Sequence, residues 1–411
     1  MKGFVIAGGV PQIELIRQLK SRGIYTVLAD GSEAAVARPY ADRFYHVNIF
    51  DTAAIRKIAE EEKADFVITV CADQVLLVAA EVSERLGLPC YIDYKTAQDV
   101  SDKLRMKRIF LEAGIPTTAY AETEKLDPEA IAGLKYPLVV KPADAYSSKG
   151  VRKAENAEEL ARYYAEAREI SRSGRVIVEE YFEGDEISVD AFVVNGKAKI
   201  LTVSNSEKVR DENRFVIFRG RYPAAVSETV AGKIEEIAQR IADGFGLVNA
   251  PLLIQMLHRG DEVSVLEFCA RTGGNMKWLL IKYSCGVDVI GATIDITLGR
   301  TPDLAVRDTG HRIVVNDFVY CRPGVFDHLE GFDEMVAQGM INEYHPVRIR
   351  GTRMRGVTSS GDRIVGMNIV ADSVEEFNRK EKTILEHVKV IDAEGNDIMR
   401  RDLLPPLEEN R

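Results

Sequence analysis

The sequence is poor in the residues that build disulfide, zinc or redox sites. Its 411 residues include five cysteines and six histidines. The cysteines lack C-x-x-C spacing, so neither a disulfide framework nor a zinc site is indicated. The histidines do not cluster, which disfavours a histidine-based metal hydrolase. Scattered, unpaired cysteines are typical of the reducing cytosol, and we expect a cytoplasmic protein.

Long apolar runs and long basic runs are also missing. No segment approaches the roughly 20 apolar residues of a membrane span, and the stretch Met1–Ala7 is too short for a signal-peptide core. The formal net charge is −10 and no Lys/Arg-rich run offsets it. We therefore expect neither a membrane nor a nucleic-acid partner. With 46% hydrophobic residues, the chain can bury several cores.

The first ninety residues alternate strand and helix patterns. This rhythm, with apolar strands, predicts a parallel, doubly wound sheet. The turn Gly8-Gly9 after the first strand is a candidate dinucleotide loop, but it does not supply the G-x-G-x-x-G spacing. Asp30 stands where a ribose-binding acid would, and we favour the simpler interpretation that it caps the turn Asp30-Gly31-Ser32.

The stretch from Val263 to Asn275 is the most informative in the chain. It begins as a buried strand, then continues into Glu267, Cys269 and Arg271 and a Gly-Gly turn. Residues two apart on a strand share a face, so these three side chains should project together. A carboxylate suits a hard cation and a guanidinium suits a phosphate oxygen. The pattern indicates a site for a metal–nucleotide complex, with an ordinary ion pair as the alternative.

Five other segments have related character. Lys103 opens a helical segment, Lys141 ends a short apolar strand, and residues 143–151 form a loop of small residues that can surround phosphates. A further strand emerges into the carboxylates Glu179 and Glu180. Finally, Gln255 precedes Glu267 by twelve positions, the spacing of two antiparallel strands joined at residues 259–261.

In their order and spacing these segments resemble the ATP-grasp superfamily, which includes biotin carboxylase, carbamoyl phosphate synthetase, glycinamide ribonucleotide synthetase and D-alanine–D-alanine ligase. The resemblance covers roughly the first three hundred residues. It implies an α/β (α+β) ATP-grasp fold with an N-terminal Rossmann-like parallel-sheet domain. The implied division is a Rossmann-like domain (1–97), a linker helix (98–119), a small lid subdomain (120–192), and a large subdomain with a C-terminal extension (193–411).

The resemblance also implies a nucleotide site. Two lysines would hold the phosphates, small residues of the loop would close over them, the Glu179 strand would meet the adenine, and a later acid would hold the ribose hydroxyls. The residues that match these positions are Lys103, Lys141, Ser147, Ser148, Gly150, Glu179, Glu180, Phe182 and Glu186.

The implied metal ligands are Gln255 and Glu267, for Mg²⁺ with Mn²⁺ as an alternative. Cys269 stands where an asparagine ligand is usual, and a thiol is too soft for Mg²⁺. We interpret Cys269 as a packing residue, which leaves one or two metal ions open; Asn275 is the candidate to compensate. For catalysis the resemblance points to Arg271 and Lys208, and for substrate contact to Arg219, Gly273 and Gly274.

The implied reaction joins a carboxylate to an amine through an acylphosphate, with an amino acid or similar small carboxylate as substrate and MgATP as cosubstrate. The motifs look most like L-amino acid ligases and carbamoyl phosphate synthetase-like enzymes, and a phosphoribosylamine–glycine ligase type stays open. Rival hypotheses are a non-catalytic ATP-binding module and an NAD-dependent oxidoreductase. Small molecules are the expected partners, and a homodimer is left open.

Overall fold

The computed structural model describes residues 1–123, 125–145, 148–209, 215–274 and 276–404. In these ranges the chain forms four β-sheets. The first two are built from consecutive parts of the chain, whereas strands of the last two alternate toward the C-terminus. No helix in the described ranges combines the length and the apolar character that a membrane crossing demands.

The N-terminal sheet has four strands, all parallel, in the order β3-β2-β1-β4. Its elements are β1 (Lys2–Ile6), α1 (Val10–Ser21), β2 (Tyr25–Asp30), β3 (Arg43–His46), α2 (Thr52–Glu62), β4 (Phe66–Ile68) and α3 (Asp73–Leu86). The predicted parallel sheet is confirmed. Strand β3 was not anticipated, because none of its four residues is buried and its sequence shows no apolar run.

The turn after β1 supports the capping interpretation of Asp30. The Gly8 amide donates to Asp30 Oδ2 at 2.7 Å, and the Ser32 amide donates to Asp30 Oδ1 at 2.7 Å. Both oxygens of this carboxylate therefore hold the turn together. A ribose would have to displace one of these backbone hydrogen bonds.

The middle of the chain holds two short helices and an antiparallel sheet of order β5-β8-β6-β7. Its elements are α4 (Tyr94–Ser101), α5 (Lys103–Glu112), β5 (Tyr120–Thr123), α6 (Pro128–Ile131), β6 (Leu138–Pro142), β7 (Arg152–Ala154), α7 (Ala157–Ile170) and β8 (Val176–Glu180). The predicted single linker helix is two helices. Asp102 separates them, because its side chain accepts the Leu104 and Arg105 amides and so starts a new helix.

The large sheet has eight strands in the order β13-β12-β9-β10-β11-β14-β18-β16, and a smaller sheet has the order β17-β15-β19. The elements of this region are β9 (Asp185–Val194), β10 (Lys197–Lys208), β11 (Ile217–Tyr222), α8 (Glu228–Gly244), β12 (Ala250–Arg259), β13 (Glu262–Cys269), α9 (Lys277–Cys285), α10 (Val289–Thr297), β14 (Ile313–Val319), β15 (Gly324–Glu330), α11 (Phe332–Ala337), β16 (Glu343–Pro346), β17 (Arg353–Met354), β18 (Val365–Ala371), α12 (Val374–His387) and β19 (Lys389–Asp392). Because β9 lies wholly in this sheet, we propose a lid boundary between β8 and β9 instead of at residue 192.

Alternation along β9 separates an apolar face of the large sheet from a polar one. Ile187, Val189 and Ala191 belong to the hydrophobic cluster that includes the apolar residues of α8. The residues between them, among them Glu186 and Asp190, must face the other way. The apolar face anchors the sheet on α8, so the polar face is presented to the neighbouring domains.

Candidate active site

A cleft of about 920 Å³, open solvent at its mouth included, lies where the lid sheet meets the polar face of the large sheet. This volume suits a nucleotide-sized ligand. Most of the residues proposed from sequence line it: Lys103, Lys141, Ser148, Glu179, Glu180, Phe182, Glu186, Lys208, Gln255 and Glu267. Three others, Arg271, Gly273 and Gly274, lie outside the lining, and Gly150 adjoins it between Ser148 and Val151.

The floor of the cleft is set by strand register. Gln255 on β12 is the register partner of Glu267 on β13 and, on its other side, of Ser188 on β9. The predicted hairpin is therefore correct, with its turn at Gly260. Because register partners share a face, Gln255 and Glu267 present two oxygen-bearing side chains side by side.

Lys103 connects this floor to the loop above it. Its Nζ lies 3.0 Å from Glu267 Oε2 and donates to the Ala145 carbonyl at 2.8 Å. Burial alone would lower the pKa of the Lys103 ammonium, but the Glu267 carboxylate raises it above its usual value. The lysine therefore stays charged. A cation held in this place can meet a phosphate that enters under the loop.

Lys141 is held by a buried carboxylate. Its Nζ lies 2.6 Å from Glu179 Oε1, and Lys107 Nζ lies 2.7 Å from Glu179 Oε2. Burial would raise the pKa of Glu179, but the two lysine charges lower it to about 2. Thr118 also donates to this carboxylate. The sequence predicted that Glu179 takes part in the adenine site. In the structure, both of its oxygens are bound by lysines and neither is open to an adenine amine.

Lys107 belongs to the buried charge cluster around Glu179, beside the cleft, and the sequence analysis did not identify it. It is only 1% exposed, and burial lowers its pKa to about 8 even though Glu179 opposes this shift. Its position four residues after Lys103 places both lysines on one face of α5. This four-residue spacing is the sequence feature that could have identified Lys107. A second lysine on the buried face of a short helix needs an acidic partner.

In the segment expected to contact the adenine, part of the backbone is already hydrogen-bonded to the protein. The Glu180 amide donates to the Ala119 carbonyl at 3.0 Å, so it is not offered to a base. The Glu180 side chain accepts the Lys135 amide at 3.0 Å. Phe182 lines the cleft beside Gly184 and provides an apolar wall for a ring.

Glu186 is the acid on the cleft lining next to Gln255. Its Oε2 lies 2.8 Å from Lys208 Nζ, and its Oε1 accepts from Gln255 Nε2 at 3.2 Å. The Lys208 ammonium also sits 5.2 Å from the centre of the Phe215 ring. Glu186 thus joins Lys208 to the residues expected to bind metal.

Arg271 occupies a second polar cluster, where the large sheet meets the N-terminal domain. Its Nε and Nη2 bind the two oxygens of Asp73 at 2.6 and 2.5 Å. Burial alone would raise the pKa of Asp73, but the positive charge of Arg271 lowers it below its usual value. Asp73 starts α3 at the carboxyl edge of the parallel sheet, the usual place for ligand-binding residues in such sheets. Gly274 lies nearby, against the Cys71 carbonyl.

Comparison with known proteins identifies the domain that carries the cleft. Residues 134–278 match the family model of the ATP-grasp domain. This part of the chain is an ATP-grasp domain. This confirms both the predicted superfamily and the predicted fold class.

Two relatives share the name formate-dependent phosphoribosylglycinamide formyltransferase. The protein from Shewanella frigidimarina is 26% identical over 406 residues, which cover 95% of this chain and 96% of that protein. The protein from Sulfurisphaera tokodaii is 26% identical over 266 residues, or 61% of this chain, and the matched part spans 65% of that relative. Among solved structures, L-amino acid ligase from Bacillus licheniformis superimposes with a TM-score of 0.79 at 18% identity, covering 95% of this chain and 99% of that one.

The donor atoms of the ATP-grasp cleft fit Mg²⁺ that arrives with a nucleotide. Glu267 offers a carboxylate, and Gln255, whose Nε2 is used on Glu186, offers a carboxamide oxygen. The part of the chain that the structure describes contains no group of three or more His, Cys, Asp or Glu side chains able to hold an ion. Mg²⁺ commonly uses one or two carboxylates together with phosphates and water, so two protein ligands suffice when phosphates supply the others.

Cys269 takes part in the Arg271 cluster. Burial raises the pKa of its thiol well above the usual value, and the thiol bonds to Asp73. A protonated thiol is a poor Mg²⁺ ligand. The candidate to replace it, Asn275, lies outside the described residues, as does Ser147 of the loop.

Replacing Cys269 with serine should therefore change turnover by less than about threefold, because a hydroxyl of similar size can keep the bond to Asp73. Steady-state ADP release compared with wild type measures this effect. A folded Cys269→Ser protein that is inactive would show that the thiol has a chemical role.

The structure does not bring Arg219 to the cleft, contrary to the expectation of a substrate contact. Its guanidinium is 1% exposed. It is paired with Asp317 at 2.6 Å and with Glu381, and Glu207 lies 3.7 Å away. Arg219 therefore ties β11 to β14 and α12. Its register partner on β10 is Glu207, whereas Lys208 of β10 is paired with Ile217 and reaches Glu186 in the cleft.

Removing this buried cation should destabilise the fold. We expect Arg219→Met to lower the free energy of unfolding by about 3–5 kcal/mol, because it leaves buried carboxylates without a counter-charge. Arg221→Met is the matched control, since Arg221 is partly exposed and its ion pair within the described residues is with Glu207, at 3.3 Å; it should cost less than about 1 kcal/mol. Urea unfolding followed by circular dichroism compares the two, and equal losses would contradict the assignment.

Proposed function

We propose that this protein is an ATP-dependent carboxylate–amine ligase that forms an amide bond through an acylphosphate. The observation that carries the proposal is the convergence in one cleft of two lysines, a Gln/Glu oxygen pair and the acid Glu186. ATP needs cations for its phosphates, oxygen ligands for its metal ion and an acceptor for its ribose. The residues that line the cleft include all three kinds of group.

In the proposed first step, a carboxylate oxygen of the substrate attacks the γ-phosphorus of ATP. The new P–O bond gives the acylphosphate, and the bond to the β-phosphate breaks as ADP leaves. Lys103 and Lys141 would neutralise charge and orient the phosphates, and Mg²⁺ bound at Glu267 and Gln255 would lower the charge on the transferred group. Lys208 lies within reach of the same phosphates.

In the proposed second step, the amine nitrogen attacks the acyl carbon. Phosphate leaves with the electron pair of the C–O bond, and the nitrogen loses its proton. Arg271, fixed by Asp73, and the backbone of Gly273 and Gly274 would stabilise the developing oxyanion. Positioning and charge neutralisation are sufficient here, and no nucleophilic side chain is needed.

For the acid we propose an amino acid or a similar small carboxylate. The name of the two relatives adds formate, and carbamoyl phosphate synthetase-like use of bicarbonate or a phosphoribosylamine–glycine ligase-like reaction stays an alternative. Mn²⁺ is proposed as a substitute for Mg²⁺. The five cysteines are free, which agrees with a cytoplasmic location. A homodimer stays part of the proposal, and light scattering would test it.

The test uses purified protein with MgATP and a panel of twenty L-amino acids, formate and bicarbonate. We expect ADP release that depends on one or more of these acids. With hydroxylamine added, the acylphosphate should be trapped as a hydroxamate. ATP binding without ADP or hydroxamate formation would favour the non-catalytic module. Thermal stabilisation by NAD but not by ATP would favour the oxidoreductase.

A further inference from the structure

Beyond the metal pair, the polar face of the large sheet carries another row of side chains. Along β9, Glu186, Ser188 and Asp190 succeed one another at two-residue intervals. Their register partners on β12 are Leu257, Gln255 and Leu253. Asp190 is therefore one row past Gln255 and Glu267, on the side away from Glu186. Two residues of a strand span about 7 Å.

The parts of a bound nucleotide would follow the row of side chains along β9. In the proposed complex the ribose lies at Glu186 and the metal-bound phosphates lie at Gln255 and Glu267. The row of Asp190 is then the next position along the line, where the acyl group and its attacking nucleophile must meet. The inference that follows rests on this proposed function.

Asp190 is a buried carboxylate with one oxygen in use. It is 1% exposed. Its Oδ2 accepts from Thr202 at 3.0 Å and lies 3.2 Å from Lys277 Nζ. Its Oδ1 is buried, and no donor among the described residues reaches it. A Cβ built on Gly273 would lie 3.4 Å from this Oδ1, so the unused oxygen faces the Gly-Gly turn.

Glu179 is another buried carboxylate of this protein, and both of its oxygens have a partner. Two lysines bind its two oxygens, and they lower its pKa to about 2 in spite of burial. At Asp190, burial outweighs the charge and hydrogen bond of Lys277, the Thr202 hydrogen bond and the charge of Arg271, and it raises the pKa. Among the described residues, one ammonium group contacts Asp190, at Oδ2, whereas two contact Glu179. Leaving a buried carboxylate oxygen unbonded is costly, and an arriving ammonium group would satisfy it.

We propose that the nucleophilic substrate is a primary amine, bound as its ammonium ion at Oδ1 of Asp190 beside Gly273. Lys277 holds the other oxygen and fixes the carboxylate in place, while Ser204 accepts from Lys277 at 2.5 Å. A Cβ at Gly273 would clash with Lys277 Cγ at 2.5 Å and would lie 3.4 Å from Oδ1, so a side chain there would displace Lys277 and fill the space beside Oδ1. Uncharged nucleophiles lack the partner that this oxygen requires.

The test separates amine binding from acylphosphate formation. Wild-type protein with MgATP and the twenty L-amino acids is assayed for amides by mass spectrometry and, with hydroxylamine, for hydroxamates. Hydroxylamine is mostly uncharged at neutral pH, so it does not depend on an ammonium site. In Asp190→Asn, amide formation should fall by about 100-fold through loss of the ionic hydrogen bond. Hydroxamate formation should stay close to wild type.

Two further variants exclude a structural explanation. Asp185→Asn is the matched control, an exposed aspartate at the start of the same strand, and it should leave both products unchanged. The double variant Asp190→Asn/Lys277→Gln removes both charges of the pair and should still fail to form amides. Recovery of amides in the double variant, or a parallel loss of amides and hydroxamates in Asp190→Asn, would overturn the proposal. Absence of hydroxamate from wild type would instead overturn the ligase function, and the inference with it.

Discussion

Replacing Lys141 with methionine should lower kcat/KM for ATP by about 100- to 1,000-fold while the protein stays folded. Lys141 is the lysine that ends β6 inside the cleft, where a phosphate can meet it. Methionine keeps most of the side-chain volume and removes the charge. Glu179 keeps Lys107 and Thr118 as partners, so the buried carboxylate is not left alone.

Lys107→Met is the matched control, because Lys107 binds the other oxygen of the same carboxylate but does not line the cleft. Both variants leave Glu179 with one lysine, so urea unfolding should show similar losses of stability. Only Lys141→Met should lose most of its kcat/KM in ADP-release assays. Equal losses of kcat/KM would mean that the buried cluster as a whole, and not Lys141 in the cleft, supports turnover.

Replacing Glu267 with alanine should lower kcat by about 1,000-fold, since the only carboxylate of the expected metal pair is lost. Glu267 is partly exposed at the cleft floor, where it meets Lys103, so the fold should tolerate the change. Alanine is preferred to glutamine here, because a carboxamide oxygen could still bind the metal as Gln255 is expected to do.

The magnesium dependence identifies the cause of this loss. In Glu267→Ala the concentration of free Mg²⁺ that gives half-maximal ADP release should rise, and high Mg²⁺ should restore part of the activity. Glu262→Gln is the control, an exposed glutamate at the start of the same strand that pairs with Arg259 at 2.9 Å. A Glu267→Ala protein with normal kcat and normal Mg²⁺ dependence would exclude this residue as a metal ligand.

Local sequence predicted those parts of the structure that depend on neighbours in the chain. Helix α2 (Thr52–Glu62) is one of the helices in the predicted strand–helix alternation, and it forms because Asp51 caps it and its apolar residues follow one face. The β12–β13 hairpin has the predicted partners, Gln255 and Glu267, because a glycine-containing turn of known position determines the register of both strands. Once that register is known, the ligand pair follows.

Local sequence could not name the partner of a charged side chain when that partner lies far away in the chain. Arg271 suggested a catalytic contact, and the structure adds that Asp73, 198 residues earlier, binds it in a bidentate pair. Arg219 suggested a substrate contact, but Asp317 and Glu381 enclose it. In both cases the arginine was recognised as important and its partner could not be named. Each partner lies on a helix or strand that only the packing of domains brings near.

The sequence by itself determined the order of the strands and helices, the superfamily and the face of the sheet that carries polar residues, since all of these depend on spacing and periodicity along the chain. Only the tertiary structure decided which charges are free to meet a ligand. Coulomb pairing acts between atoms in space, without regard to chain separation, and burial makes each pairing strong enough to commit a side chain. Lys107 and Glu179, Asp73 and Arg271, and the unfilled oxygen of Asp190 are therefore features of the fold and cannot be seen in any single segment.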